Sequence, residues 1–403
     1  MTSRAARQGL PVTGIGCITA VGRNLDENLA GLFAGLRRMG PSARVRSTHE
    51  VRYPVFEIDD SVLPEGYAEG PECLRCGGLA LVAAREAIQS ACLLAADLKR
   101  RRVGVCIGTT VGSAMNNETF YRGFRDGTRP DMDAITGFLQ ANPSSVVARE
   151  LKLNGPCQTV TNACSSGTVA VGQAAEWIRG GICDIAIAGG ADALCRTVYN
   201  GFAALQIMDE EPVRPFDARR RGLNLGEGAG LLVLESAASQ AARGVPAVGR
   251  LVGYGNACDA FHISAPHPDG DGLRTAIETA MQQAGLASSD LAFINAHGTG
   301  TPENDRVEGQ LYPDLLPDVP FLSTKGYTGH TLGASGGVEA AFSLACLNAG
   351  MMPASIGFAE PDPGFPGRPV CTNTPITGAA ALSSSLAFGG NNAAIVLAKG
   401  ERA

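Results

Sequence analysis

The chain has 403 residues, of which 45% are hydrophobic and 18% charged, and its formal net charge is −6. With 52 glycines, this composition is typical of a globular α/β protein and argues against a disordered or fibrous chain. The acidic balance argues against a general nucleic-acid-binding protein, which needs a dominant basic field. Twelve scattered cysteines without a secretory signal indicate reduced thiols and a cytoplasmic location. Serines, glycines and two asparagines interrupt the apolar stretch 379–398 near the C-terminus, so no membrane segment is expected.

Predicted strands and helices alternate along the chain. A short buried strand begins at Leu10 and runs into a glycine turn, and a helix is predicted over residues 24–36. Further elements follow in chain order: a strand over 102–108, a helix over 144–151, and strands over 183–189 and 230–235. This alternation is the one expected of layered α/β proteins.

Two distant segments share one pattern. Residues 162–171 and 329–341 each place a chemically active side chain at the start of a helix rich in Ala and Gly. In each case a later strand ends in Gly-Gly. The similarity predicts two related halves that pack together. We expect them to span residues 1–245 and 246–403, with the join near 242–250.

Cys164 is the first candidate for chemistry. A thiol at a helix N-terminus faces unpaired backbone N–H groups, which lower its pKa and favour the nucleophilic thiolate. Most single cysteines are simply buried, so the histidines decide the interpretation. His297 and His330 are two of only five histidines, and both lie in loops rich in glycine and threonine. One cysteine with two such distant histidines predicts a nucleophilic site assembled by folding.

Five ordered motifs then give the chain a specific resemblance. They are the Cys164 segment, 214–217 leading to 226–230, 297–302, Lys325 with 329–333, and 388–390. With these motifs the chain resembles an elongating β-ketoacyl-acyl-carrier-protein synthase, a condensing enzyme of the thiolase-like family, over residues 12 to 397. The resemblance implies an α/β fold with five layers, α/β/α/β/α, built from two related halves.

The resemblance also implies catalytic roles. Cys164 would take an acyl group from a carrier protein as a thioester. His297 and His330 would promote decarboxylation of malonyl-carrier protein, and the resulting carbanion or enolate would attack the thioester. Lys325 and Glu339 match positions that tune and order the two histidines.

Other positions would contact the substrate. The backbone N–H groups of Phe388 and of the nucleophile would form an oxyanion hole, and the Phe388 side chain would gate the acyl pocket. Thr299 and Thr301 would hydrogen-bond the phosphopantetheine arm. Val111 and Phe202 would line the acyl pocket.

The expected partners follow from the same resemblance. The acyl carrier protein would bring the phosphopantetheine, so no cofactor of the chain's own is expected. A carrier protein is typically acidic and would need a basic patch, for which residues 99–102 and 219–221 are candidates. We expect a homodimer or a heterodimer with a sister subunit, and neither nucleic acid nor membrane as a partner. No metal is expected, since the one CxxC pair, Cys73 and Cys76, lacks further ligands.

The chain departs from the common family pattern at three positions. Ala387 and Asn391 flank the gating motif where Gly and Thr are usual, which predicts a different gate motion. Arg221 stands where many relatives have Asp, and this segment together with residues 259–268 resembles ketosynthases of aryl polyene pigment clusters. The pathway therefore stays open between fatty acid, polyketide and aryl polyene biosynthesis.

Three alternative functions fit parts of the sequence. A chain-length-determining partner of a ketosynthase would share the fold without the nucleophile, whereas Cys164 and both histidines are present. A serine hydrolase would use Ser335 in the G-x-S-x-G pattern of residues 333–337, but no strand leads directly into it. A thiolase would need a second catalytic cysteine and lacks the two histidine loops.

Overall fold

The computed structural model describes residues 9–47, 49–67, 75–112, 118–133, 135–136 and 141–400. In chain order its helices are α1 (Leu25–Phe33), α2 (Arg75–Ser90), α3 (Ala95–Arg100), α4 (Glu118–Arg125), α5 (Pro143–Glu150), α6 (Ser166–Arg179), α7 (Arg196–Ala204), α8 (Ala237–Arg243), α9 (Asp271–Ala284), α10 (Pro302–Leu315), α11 (Lys325–Thr328) and α12 (Ser335–Ala349). Its strands are β1 (Leu10–Thr19), β2 (Val103–Gly108), β3 (Cys157–Val160), β4 (Ile185–Asp192), β5 (Gly228–Glu235), β6 (Gly249–Cys258), β7 (Leu291–Asn295), β8 (Phe321–Leu322), β9 (Met351–Met352), β10 (Thr374–Pro375), β11 (Ala380–Ala387) and β12 (Asn391–Lys399).

Ten of these strands hydrogen-bond in the order β3-β2-β4-β5-β1-β6-β12-β11-β7-β8. The first five come from the N-terminal part of the chain and the last five from the C-terminal part. The two sets meet where β1 pairs with β6 through Leu10 and Leu251. This arrangement gives two similar five-stranded units, within which β2, β3 and β4 run parallel, as do β7, β8 and β11.

Alternating side chains on each strand contact different helices, so the strands are buried on both faces. Ile185 and Ile187 of β4 pack in the cluster that contains α2, while Ala186 and Ala188 pack in the cluster that contains α6 and α12. The second unit repeats this arrangement with α6 and α12 on one face and α9 on the other. The five-layered α/β/α/β/α arrangement is therefore confirmed.

The predicted elements are present with shifted ends. The helix expected over 24–36 spans α1 because Asn24 accepts a hydrogen bond from the Glu27 N–H at its start, and Gly35 (φ +67°) takes a left-handed conformation just beyond its end. The apolar stretch near the C-terminus forms the hairpin of β11 and β12. Within the part of the chain that the structure describes, no helix is long and apolar enough to cross a membrane.

The two central helices start in the same way. A single 3₁₀ turn precedes each one, Ala163–Ser165 before α6 and Leu332–Ala334 before α12. Ala163 (φ 48°) and Leu332 (φ 56°) both take a left-handed conformation. The two segments that look alike in sequence therefore have the same local backbone. The boundary between the halves near residues 242–250 stays a prediction.

Glycines allow these helix starts to approach each other. A Cβ atom on Gly336 would lie 2.0 Å from Thr168 Oγ1, and one on Gly167 would lie 2.8 Å from the Gly337 nitrogen. Larger residues would separate α6 from α12. The close approach places the residues just before the two helices, Cys164 and His330, beside each other.

We predict that Gly336→Ala lowers the free energy of unfolding by roughly 1 to 3 kcal/mol, because the added methyl group overpacks the contact with α6. Gly201→Ala is the matched control, since Gly201 lies in α7 and a Cβ atom added there would meet nothing within 4 Å. That control should be neutral or stabilising by up to about 1 kcal/mol. Urea unfolding of both variants measures the difference, and equal stabilities would contradict the packing argument.

Candidate active site

Cys164 lies in the 3₁₀ turn between β3 and α6, and its side chain is buried. Burial raises the pKa of the thiol to about 12, while the Lys325 ammonium and the backbone N–H groups of Phe388 and Cys164 oppose that shift. The expectation of a lowered pKa is therefore wrong, because the loss of solvation outweighs the helix N-terminus. The resting thiol is therefore protonated.

His297 and His330 lie beside this thiol. Their ring centroids are 5.2 Å apart with an interplanar angle of 84°, and one ring nitrogen of each lies within 4.8 Å of the other and of the Cys164 sulfur. Burial and the nearby Lys325 charge lower the pKa of both rings well below the usual value of 6.5. Both imidazoles are therefore neutral at neutral pH, and each carries a single ring proton.

Lys325 determines which nitrogen of His297 carries that proton. The Lys325 Nζ lies 2.6 Å from the His297 carbonyl oxygen, 3.1 Å from His297 Nδ1, and in contact with the Glu339 carboxylate. An ammonium has three N–H donors and no acceptor, so Nδ1 accepts and Nε2 keeps the proton. Burial raises the pKa of Glu339 to about 7, and Lys325 opposes this shift.

His330 has the same tautomer for a different reason. The Leu332 backbone N–H donates to His330 Nδ1 at 3.1 Å, and the Ser335 hydroxyl oxygen lies 3.1 Å from the same nitrogen. A nitrogen that accepts a backbone hydrogen bond cannot itself be protonated. The proton of His330 is therefore also on Nε2.

The loop that carries His297 is fixed by acidic residues of α10 that the sequence reasoning missed. Glu308 accepts hydrogen bonds from the N–H groups of His297 (2.7 Å) and Gly298 (2.6 Å). Asp305 accepts from the Gly300 N–H at 3.1 Å. Burial raises the pKa of Glu308 to about 7. Two acidic residues on one face of a helix directly after the histidine loop were the available signal.

Asp192 was also missed. It ends β4 and accepts hydrogen bonds from the N–H groups of Thr110 (2.7 Å), Ala193 (3.1 Å) and Gly333 (3.0 Å). Burial raises its pKa to about 6. These bonds tie the loop after β2 to the turn that carries His330. The sequence signal was an acidic residue at the end of an otherwise apolar strand.

A cavity of about 280 Å³ reaches the three reactive side chains. Its lining includes the predicted residues Cys164, Phe202, His297, Thr299, Thr301, His330 and Phe388. The Thr299 and Thr301 hydroxyl oxygens are 2.9 Å apart, and the rings of Phe202 and Phe388 stack at 5.6 Å. Among the described residues, those lining the cavity do not include Val111, which packs with Phe202 against an adjacent apolar cluster.

The turn around Phe388 contains two glycines in left-handed conformations, Gly389 (φ 80°) and Gly390 (φ 78°). Asn391 follows and its side-chain amide donates to the Phe388 carbonyl at 3.4 Å, a long contact. Ala387 precedes the turn as the last residue of β11. Asn391 thus adds a side-chain contact within the Phe388 turn.

The thiol and two imidazoles also have the spacing of a metal triad. The hydrogen bond that His330 Nδ1 accepts from Leu332 keeps the proton on Nε2, so that nitrogen would have to lose its proton before it could bind a metal ion. The arrangement therefore fits hydrogen-bond donation better than ligation. Cys73 of the CxxC pair lies outside the described residues.

Comparison with known proteins agrees with this geometry. The family model "Beta-ketoacyl synthase, N-terminal domain" matches residues 10–240, and "Beta-ketoacyl synthase, C-terminal domain" matches residues 248–359. The chain is 33% identical over 408 residues to 3-oxoacyl-[acyl-carrier-protein] synthase 2 of Synechocystis, covering 96% of this chain and 97% of that protein.

Two solved structures are also similar. The ishigamide ketosynthase/chain length factor superposes with a TM-score of 0.88 at 33% identity, covering 97% of this chain and 99% of that one. A type II polyketide ketosynthase bound to its acyl-carrier protein has a TM-score of 0.87 at 25% identity, with the same coverage. The chain thus has the thiolase-like fold and belongs to the β-ketoacyl synthase family.

Proposed function

We propose that the protein condenses an acyl group held on Cys164 with a malonyl unit on an acyl carrier protein. The observation that carries this proposal is the convergence of one buried thiol with two buried imidazoles whose Nδ1 atoms both face hydrogen-bond donors, from which we infer that the ring protons lie on Nε2. Two N–H donors in a buried site can stabilise the negative charge that develops on a thioester oxygen, by roughly 3 to 4 kcal/mol for a well-placed donor.

The first step is acyl transfer. The Cys164 sulfur attacks the carbonyl carbon of the acyl thioester, a new C–S bond forms, and the bond to the phosphopantetheine sulfur breaks. The Cys164 proton passes, in the overall balance, to the departing phosphopantetheine thiolate. The backbone N–H groups of Cys164 and Phe388 would stabilise the tetrahedral oxyanion. Both already oppose the rise in the pKa of the Cys164 thiol.

The second step joins the two carbon chains. The malonyl carboxylate leaves as CO₂, and its electron pair forms an enolate whose oxygen would accept the Nε2 protons of His297 and His330 as hydrogen bonds. The enolate carbon attacks the Cys164 thioester, and the cysteine leaves as a thiolate that takes up one proton. Lys325 and Glu339 would act by holding His297, not by touching the substrate.

The cavity supports the roles assigned to its lining. Thr299 and Thr301 place two hydroxyl groups where a phosphopantetheine arm would pass, and Phe202 and Phe388 close the apolar side. The phosphopantetheine would arrive on the carrier protein, so the proposal needs no tightly bound cofactor. A cytoplasmic location is part of the same proposal.

The family also contains partner subunits, and one similar structure is a ketosynthase/chain length factor. We assign this chain to the active subunit because its cysteine and both histidines converge. It would form a homodimer or pair with a sister subunit. Of fatty acid, polyketide and aryl polyene synthesis, the Arg221 segment favours aryl polyene synthesis.

The position of Ser335 argues against a serine hydrolase. Ser335 is buried at the first turn of α12 and is not among the described residues that line the cavity. Its hydroxyl lies beside His330 Nδ1, but that nitrogen already accepts the Leu332 N–H.

We predict that Cys164→Ala abolishes acylation of the protein, while Cys346→Ala leaves it intact. Burial raises the pKa of both thiols to about 12. The Lys325 charge and backbone N–H groups oppose this rise at Cys164, whereas burial is the one cause at Cys346. Intact-mass measurement after incubation with an acyl-carrier-protein thioester reads out the result. Acylation of the Cys164→Ala protein would refute the nucleophile assignment.

His297→Ala and His330→Ala should each slow malonyl decarboxylation by about 10²-fold or more, because each removes one charge-stabilising donor. Self-acylation of Cys164 should fall much less, since the backbone N–H groups serve that step. CO₂ release and intact mass measure the two steps separately. If both steps fell equally, one histidine would have to be reassigned as the base for the thiol.

The structure favours residues 219–221 over 99–102 as the carrier-docking patch. The Arg220 side chain donates to the Pro302 carbonyl, next to Thr301 and Glu303 at the cavity, and its neighbours Arg219 and Arg221 are 54% and 60% exposed. Residues 99–102 precede the first residue of β2, whereas its last residue, Gly108, packs against the start of α6. The length of β2 therefore separates residues 99–102 from the site by roughly 17 Å.

We therefore expect Arg221→Glu to raise the KM for an acyl-carrier-protein substrate by about three- to tenfold, a change on the order of 1 kcal/mol. KM for a pantetheine thioester should not change. Arg100→Glu is the control at the other patch. Equal effects of Arg221→Glu on the two substrates, or a larger effect of Arg100→Glu, would contradict this placement.

A further inference from the structure

Ser335 is a buried serine at a helix start. It is the first residue of α12, follows the N-cap residue Ala334, and is only 1% exposed. Its hydroxyl oxygen lies 3.1 Å from His330 Nδ1 and 3.2 Å from Thr331 Oγ1.

The direction of these hydrogen bonds follows from the backbone. Because the Leu332 N–H donates to His330 Nδ1, that nitrogen is an acceptor, and the Ser335 hydroxyl can only donate to it. The Ser335 oxygen then has lone pairs left to accept the Thr331 hydroxyl proton. The three groups form a chain of donors that runs from Thr331 through Ser335 to His330.

We propose that Ser335 is a positioning residue for His330, whose hydroxyl donates to Nδ1 and holds the ring neutral with its proton on Nε2. The Leu332 N–H supplies the first donor and Ser335 the second. This role of Ser335 concerns the protonation of His330 and goes beyond the proposed function. Only the decarboxylation measurement described below rests on the proposed function.

A donor to Nδ1 stabilises the neutral imidazole and opposes its protonation, so loss of the hydroxyl should make His330 easier to protonate. The other charged or titratable groups around the ring are Lys325, His297 and Cys164, and Asp192 reaches its turn through Gly333. Lys325 acts in the same direction as Ser335, because a positive charge also disfavours the imidazolium. Removing the Ser335 hydroxyl therefore takes away one of the interactions that oppose protonation of His330.

The test is ¹⁵N NMR of the full protein labelled at histidine, with His330 assigned by the signal that His330→Ala removes. The wild type should show an unprotonated Nδ1. Ser335→Ala should raise the titration midpoint of His330 by about 0.5 to 1 pH unit, the loss of one ordinary hydrogen bond. Ser343→Ala, which removes a buried hydroxyl from the same helix, should leave the midpoint unchanged.

An Nδ1-protonated ring in the wild type, or an unchanged midpoint in Ser335→Ala, would overturn the proposal. If the alanine variant does not fold, Ser335→Cys decides, because its weaker donor should give a smaller shift in the same direction and no shift would count against the proposal. An activity arm adds malonyl-pantetheine decarboxylation, which should fall about three- to tenfold in Ser335→Ala with Cys164 acylation unchanged. A shifted midpoint with unchanged decarboxylation would keep the positioning role and count against the proposed function.

Discussion

A buried ammonium needs an acceptor for each of its three N–H groups, and the chemistry of the site follows from how Lys325 meets that need. One acceptor is the Glu339 carboxylate, and the other two are the carbonyl oxygen and Nδ1 of His297. The third bond leaves the His297 proton on Nε2. Burial lowers the pKa of both histidines and raises that of Cys164, and the Lys325 charge adds to the first shift and opposes the second. One cation thus acts on all three groups of the site.

The site also depends on how closely the two halves approach. Gly167 and Gly336 let α6 and α12 meet almost backbone to backbone, so the thiol at one helix start faces the imidazole at the other. Asp192 and Glu308 then fix the surrounding loops through backbone N–H groups. Both carboxyl groups are buried and accept several hydrogen bonds, which holds the reactive side chains in a defined geometry before substrate arrives.

The sequence identified the residues that converge at the cavity better than the groups that support them. Cys164, His297 and His330 each lie in a glycine-rich motif that can be recognised from the sequence alone. Glu308 and Asp192 were missed because their partners are backbone N–H groups that only folding brings near. The pKa of Cys164 was predicted in the wrong direction, since a helix N-terminus is visible in a sequence whereas complete burial is a tertiary property. Val111 was placed in the pocket by family position, whereas in the structure it packs beside the described lining.

The sequence predicted the layered fold for a related reason. Alternation of strands and helices predicted a layered α/β protein and the repeated helix-start pattern predicted two related halves, whereas the five layers were implied by the resemblance to β-ketoacyl synthases. Helix and strand ends shifted by a few residues, because caps such as Asn24 and left-handed residues such as Gly35 set them. The contact of Ser335 with His330 could not be read from the G-x-S-x-G pattern, which suggested a nucleophile at the same position.

The central claim is that Cys164 carries the acyl group in the reaction. The most direct measurement is peptide mapping by tandem mass spectrometry of the wild-type protein after incubation with an acyl-carrier-protein thioester. We expect one acyl adduct, on the Cys164 side chain. An adduct on Ser335 or on another cysteine, with Cys164 unmodified, would contradict it.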